Sequence, residues 1–68
     1  MIEKLEAYFE QQFEYMELLT DYASKKVCFD HAFGALDFVA QNAENEDFPK
    51  YVALWDEWRD KFETALYE

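Results

Sequence analysis

The sequence predicts an all-α fold, a small antiparallel three-helix bundle with helices near residues 2–22, 25–43 and 49–66. Apolar residues recur at spacings of three and four along most of the chain, which is the period of an amphipathic helix. Gly34 and Pro49 are the only residues of their types, and the Asn-Gly and Asp-Gly pairs typical of β-hairpins are absent. Sustained alternation of apolar and polar residues, which would indicate strands, is also absent.

Length and composition narrow the class of protein. A chain of 68 residues allows one domain, which we take to span residues 1–68. Six basic and 16 acidic residues give a formal charge of −10, which disfavours direct binding to DNA, RNA or an anionic membrane surface. Aromatic residues make up 21% of the chain, and this apolar content disfavours intrinsic disorder.

The N-terminal residues do not resemble a secretory signal peptide, because Glu3, Glu6 and Glu10 interrupt every apolar run. No apolar stretch approaches the roughly 20 residues that a membrane-spanning helix requires. Cys28 is the only cysteine, so no internal disulfide can form and a reducing compartment is favoured. The sequence therefore predicts a soluble, cytoplasmic protein without a membrane partner.

The first predicted helix, residues 2–22, carries three stripes of side chains. Its apolar residues, together with Ala23 just beyond its end, share an arc of about 120° on a helical wheel: Ile2, Leu5, Phe9, Phe13, Met16, Leu19 and Ala23. A separate arc of about 80° holds the candidate acidic surface: Glu3, Glu6, Glu10, Glu14, Glu17 and Asp21. The flank opposite the acids holds tyrosines at every seventh position: Tyr8, Tyr15 and Tyr22.

The second predicted helix, residues 25–43, has its apolar face about 180° out of phase with the first. A turn near residues 21–26 resolves this conflict, and one long helix covered by a partner chain is the alternative. Ser24 is a plausible N-cap of the second helix. Lys25 and Lys26 suit the end of the first helix better, because the helix dipole disfavours cations at a helix start. On the second helix, Lys25 would lie on the polar face.

The third predicted helix follows a polar, aperiodic loop at residues 42–47. Pro49 fits the first helical turn because its missing N–H is not needed there, and Asp47 or Asn45 can cap the helix. The apolar stripe of this helix comprises Tyr51, Leu54, Trp55, Trp58, Phe62, Ala65 and Leu66.

The 14 aromatic residues exceed what one small core can bury, because a chain of about 60 residues hides only some 60% of its unfolded surface. The expected core contains Phe9, Phe13, Met16, Phe29, Leu36, Trp55, Trp58 and Phe62. Large side chains left outside it form the candidate interface: Tyr8, Tyr15, Leu18, Tyr22 and Phe38. The alternative is a monomer whose tyrosines pack their rings and keep their hydroxyls hydrated.

Residue patterns that carry catalysis or bind cofactors are missing. Cys28 and His31 form a Cys-x-x-His pair, but zinc requires about four ligands, so we interpret Cys28 as a small core residue. Di-iron bundles need Glu-x-x-His and calcium loops need a central glycine, and neither is present. A single glycine cannot build a phosphate-binding loop, and the only serine, Ser24, lacks the pattern of a catalytic triad. The sequence predicts no enzyme, no cofactor and no metal.

The expected function is that of a small acidic, non-catalytic protein-interaction module, which self-associates or docks on a protein partner. The six carboxylates between Glu3 and Asp21 extend over about 27 Å of helix at 1.5 Å per residue. Duplex DNA presents a similar line of negative charge, so an acidic nucleic-acid mimic that inhibits a DNA- or RNA-binding protein is the alternative. The simplest interpretation of the same acids is a solvated face that keeps an aromatic-rich protein in solution.

Overall fold

The computed structural model covers residues 1–68 and contains three helices: α1 (Ile2–Leu18), α2 (Tyr22–Gln41) and α3 (Phe48–Tyr67). All three pack against one another, and the chain forms no strand. The molecule measures 39 × 17 × 16 Å, the shape expected of helices of about 30 Å lying side by side. The predicted all-α three-helix bundle is confirmed.

The turn between α1 and α2 is confirmed, but it lies earlier than predicted. α1 ends at Leu18, and the extended backbone of Leu19 leads the chain away from the helix. Asp21 is the N-cap of α2, because its carboxylate accepts a hydrogen bond of 2.9 Å from the backbone N–H of Ser24. This hydrogen bond lowers the pKa of Asp21. The prediction of Ser24 as the N-cap is wrong, and the single long helix is excluded.

The placement of Lys25 on a polar face is also wrong. Lys25 lies in the first turn of α2 and is buried, and its Nζ donates a hydrogen bond to the carbonyl oxygen of Ala65 on α3. Lys26, the next residue, stays near the surface and forms an ion pair with Asp30. Neither lysine belongs to the last turn of α1.

Residues 42–47 form the connection between α2 and α3, as predicted. The side-chain amide of Asn42 donates a hydrogen bond of 2.8 Å to the carbonyl oxygen of Phe38 at the end of α2. Pro49 lies in the first turn of α3, also as predicted. Asp47 is the N-cap residue, but its carboxylate contacts Lys50 Nζ at 3.4 Å and makes no capping hydrogen bond.

The core is one cluster of apolar side chains from all three helices. Phe9 of α1 stacks on Trp58 with ring centroids 5.8 Å apart and meets Phe62 edge-on at 5.5 Å. Met16 and Leu36 are also buried, as predicted, whereas Phe13 and Phe29 are only partly buried against the core.

The prediction that Trp55 belongs to the core is wrong, because 40% of its surface is exposed. α3 buries Leu54 and Trp58, which places Trp55 at the side of the helix that faces α2. Gln12 is a second difference, since it lies between Phe9 and Met16 on the inward face of α1 and is buried with them. No helix combines the length and the apolar character needed to cross a membrane.

Candidate interaction surfaces

An apolar groove lies between α2 and α3, at the end of the bundle where residues 42–47 join the two helices. We call it the α2–α3 groove. It encloses about 310 Å³, at the lower end of the range of about 300–1,000 Å³ typical of ligand-binding clefts. Its apolar lining comprises Phe33, Leu36, Ala40, Phe48, Tyr51, Val52 and Trp55.

Helical spacing brings these side chains together. Residues three and four apart share one face of each helix, so both α2 and α3 present an apolar row to the groove. Leu36 and Tyr51 are buried at its floor. Phe48, Val52 and Trp55 are between 40% and 48% exposed, so the open side of the groove is apolar as well.

The groove carries negative charge on its polar edge. Asp37 and Gln41 are its two polar lining residues, and Gln41 Nε2 donates a hydrogen bond of 3.1 Å to Asp37 Oδ2. The 42–47 loop at the same end of the bundle also contains Glu44 and Glu46, which are exposed and form no ion pair. No lysine or arginine lines the groove.

Two basic residues of α3 near the groove are already engaged. Lys50 contacts Asp47, as described above. Arg59 Nε lies 3.2 Å from Glu63, and the guanidinium stands 5.0 Å from the ring centroid of Trp55. Arg59 therefore packs on the exposed indole rather than projecting a free positive charge.

The acidic surface of α1 is shorter than predicted. Five of the six carboxylates are exposed along α1: Glu3, Glu6, Glu10, Glu14 and Glu17. The sixth, Asp21, does not continue the row, because α1 ends before it and its carboxylate caps α2. The row thus runs over the 15 residues from Glu3 to Glu17, about 21 Å from end to end. None of the three ion pairs in the structure involves these five carboxylates.

Negative charge continues from α1 onto α3. Glu17 shares a shallow hollow of about 360 Å³ with Asp60 and Glu68. Lys61 lies in the same hollow, but its Nζ stands 4.7 Å from the ring centroid of Trp58, over the edge of the core. One cation therefore faces three carboxylates in this hollow.

The residues of the predicted interface do not form one continuous surface. Tyr15, Leu18, Tyr22 and Phe38 are exposed, and Tyr8 is partly buried. Tyr22 begins α2, so the row of tyrosines at every seventh position does not follow a single helix. Phe38 lies 16 residues further along α2, about 24 Å from Tyr22.

Tyr22 instead packs against the end of α3. Its ring centroid lies 5.9 Å from that of Tyr67, which is largely exposed. The interaction with the Tyr22 side chain raises the pKa of the Tyr67 phenol. The two tyrosines lie at the end of the bundle opposite the α2–α3 groove.

Cys28 is buried in the core, where desolvation raises the pKa of its thiol. His31, its partner in the Cys-x-x-His pair, is exposed. The structure contains no group of three or more His, Cys, Asp or Glu side chains placed to hold a metal ion. Burial of the thiol agrees with the interpretation of Cys28 as a small core residue.

No protein-family model, curated protein or solved structure matches this chain. The shape and charge of its surfaces are therefore the features of the chain that bear on function.

Proposed function

We propose that the protein is a non-catalytic protein-interaction module that docks on a partner protein through the α2–α3 groove. The proposal rests on the apolar rim of this groove, where Phe48, Val52 and Trp55 are half-exposed around a concave apolar floor. Contiguous apolar surface of this kind on a small protein usually marks an interface, because its burial releases ordered water. Tryptophan and phenylalanine are also enriched at the centres of protein interfaces.

A partner of different charge fits this chain better than a second copy. Each copy carries a formal charge of −10, Asp37 lines the groove, and the loop at the same end of the bundle contains the exposed acids Glu44 and Glu46. A symmetric contact through the groove would bring these carboxylates close to their own equivalents. Like charges across an interface oppose association, so docking on another protein is favoured over self-association.

A cytoplasmic location forms part of the proposal. Cys28 is the only cysteine of the chain, and it is free and buried. Free cysteines without a disulfide framework are typical of reducing compartments. A reducing compartment keeps the core thiol in the form in which it packs.

The test compares a partner recovered from the host by the tagged protein with the partner recovered by two matched variants. Val52 lines the groove, whereas Val27 is similarly exposed on α2 but does not line it. Val52→Lys and Val27→Lys add the same charge to an exposed helical position. We expect the wild type and Val27→Lys to recover the same partner and Val52→Lys to lose it. Equal recovery, or equal loss, by both variants contradicts docking through the groove.

A nucleic-acid mimic is the second candidate function, and it is favoured by the five unpaired carboxylates of α1. They place one charge per roughly 5 Å of helix, compared with one per about 3.4 Å along a DNA strand. A protein with a basic nucleic-acid-binding groove would then bind α1 rather than the α2–α3 groove.

If the protein is a nucleic-acid mimic, we expect salt to release its partner and DNA to displace the protein from that partner. Replacing Glu10, Glu14 and Glu17 with glutamine would weaken its binding, while Val52→Lys would retain it. The opposite pattern, with loss in Val52→Lys and retention in the triple glutamine variant, supports the interaction module and rejects the mimic.

A further inference from the structure

We propose that the partner presents a basic amphipathic helix, whose apolar side chains enter the α2–α3 groove and whose lysines or arginines meet the acids at its edge. This inference rests on the proposed function and names the class of partner. It depends on the length of the groove, on its charge and on the absence of a strand to which an extended segment could add.

The length of the groove suits about two turns of helix. Its lining residues run from Phe33 to Gln41 on α2 and from Phe48 to Trp55 on α3, which is about 12 Å and 11 Å along the helix axes. The anchor residues of an amphipathic helix at positions i, i+3 or i+4, and i+7 extend over about 10.5 Å. One such row of anchors therefore fits the groove from end to end.

The charge of the groove selects a basic helix. Asp37 is the only charged residue that lines the groove, and it is exposed. Gln41 donates to Asp37 Oδ2, while Asp37 Oδ1 makes no hydrogen bond within the protein. Glu44 and Glu46 are exposed in the loop that joins the two helices of the groove, and neither has an ion-pair partner. Lysine or arginine on the polar face of the bound helix would pair with these oxygens.

An extended partner segment is disfavoured by the fold itself. Peptides bind as added strands only where a sheet offers a free edge with unpaired N–H and C=O groups. This chain forms three helices and no strand, so its backbone offers no such edge. Side chains alone must hold the partner, which is how a helix binds in an apolar groove.

Three synthetic peptides of about 20 residues, longer than the roughly 12–15 residues below which an isolated helix is marginal in water, test the inference. The first places leucines at the i, i+3, i+4 and i+7 positions and lysines elsewhere. The second has glutamate in place of every lysine, and the third has the composition of the first in an order without helical periodicity. Each is titrated into the full chain, and binding is followed by tryptophan fluorescence and by the backbone amide NMR signals of the labelled protein.

The leucine–lysine amphipathic peptide is expected to bind about tenfold or more tightly than either of the others and to shift the signals of residues that line the groove. Val52→Lys should weaken this binding about tenfold, and Val27→Lys should leave it unchanged. Asp37→Asn should weaken it about two- to threefold, as expected for an exposed charge pair. Glu10→Gln removes the same charge from α1 and should have no effect.

Three results would overturn the inference. The first is that no peptide binds at the groove, and the second is that the glutamate peptide or the peptide without helical periodicity binds as tightly as the leucine–lysine amphipathic peptide. The third is that Glu10→Gln weakens binding as much as Asp37→Asn. The last of these would show that the lysines bind the acidic surface in general. The proposed function is tested separately by the comparison of Val52→Lys and Val27→Lys with the host partner, in which no peptide is used. If the peptide test fails and the host-partner test succeeds, the groove is a docking site whose partner does not present a basic amphipathic helix.

Discussion

Lys25 Nζ donates a hydrogen bond of 2.9 Å to the carbonyl oxygen of Ala65, which joins the start of α2 to the end of α3. The last four carbonyls of a helix have no partner within it, and Ala65 supplies one of them. The positive charge also faces the negative end of the α3 dipole. A buried lysine at an otherwise unfavourable helix start is thereby compensated by the neighbouring helix.

Lys25→Met keeps most of the aliphatic chain and removes this hydrogen bond. We expect the free energy of unfolding to fall by about 2 kcal/mol, because hydrogen bonds from charged groups contribute about 1.5–3 kcal/mol. Urea unfolding followed by circular dichroism measures the change. Lys4→Met is the control, since Lys4 is exposed and forms no ion pair, and it should shift the stability by no more than about 0.5 kcal/mol. Equal losses in the two variants would contradict the role of the Lys25–Ala65 bond.

The two tryptophans should differ in their contribution to stability. Trp58 is buried against Phe9 and Phe62, so Trp58→Ala is expected to cost about 3–5 kcal/mol, close to the whole stability of a small domain. Trp55→Ala should cost less, because Trp55 is already 40% exposed. Thermal unfolding should find Trp58→Ala largely unfolded at room temperature and Trp55→Ala folded. A Trp58→Ala variant with the wild-type melting temperature would refute the described core.

Burial of Cys28 sets a pH dependence. Desolvation raises the pKa of the thiol above its ordinary value of 9.0, so the folded chain holds less thiolate than the unfolded chain near neutral pH. A thiol reagent should therefore react more slowly with the folded protein than with the urea-unfolded protein. Because the folded state retains the proton longer, the contribution of this group to stability is present below pH 9.0 and falls as the pH rises above it. Equal rates in the two states would mean that the thiol is accessible.

The acidic row of α1 should cost some stability through repulsion between neighbouring carboxylates. Replacing Glu10, Glu14 and Glu17 with glutamine is expected to keep the fold and to raise the free energy of unfolding by about 0.5–1 kcal/mol at low salt. The gain should vanish at high salt, where the repulsion is screened. A matched triple variant replaces three ion-paired acids with their amides: Asp30→Asn, Asp47→Asn and Glu63→Gln. This variant should not raise the free energy of unfolding. A gain that persists at high salt, or appears equally in both variants, would contradict this explanation.

The sequence predicted the helices better than their ends. The reversal of the apolar phase located a turn between the first two helices, because that signal is summed over many residues. It did not decide between Asp21 and Ser24, since both residue types are good N-caps and only the backbone geometry separates them. Burial of Lys25 was not predictable locally, because its partner Ala65 lies 40 residues away in the chain.

The candidate site was predicted only in part. Exposed apolar surface was expected from the number of aromatic residues, but the tyrosines were assigned to one helix and the groove was missed. A signal was present: Phe48, Val52 and Trp55 are four and three residues apart, forming a row beside the one that enters the core. Whether such a row is buried or forms a groove depends on the separation of α2 and α3, which one helix does not specify.

Site-specific photocrosslinking in host cells tests whether a partner protein docks in the α2–α3 groove. A photoreactive phenylalanine analogue is placed at position 52 in the α2–α3 groove and, as the control, at position 27 outside it. We expect irradiation to yield a covalent adduct with a second, different protein at position 52 and none at position 27. An adduct at position 27 alone, or only an adduct of twice the mass of this chain at position 52, would contradict docking of a separate partner in the groove.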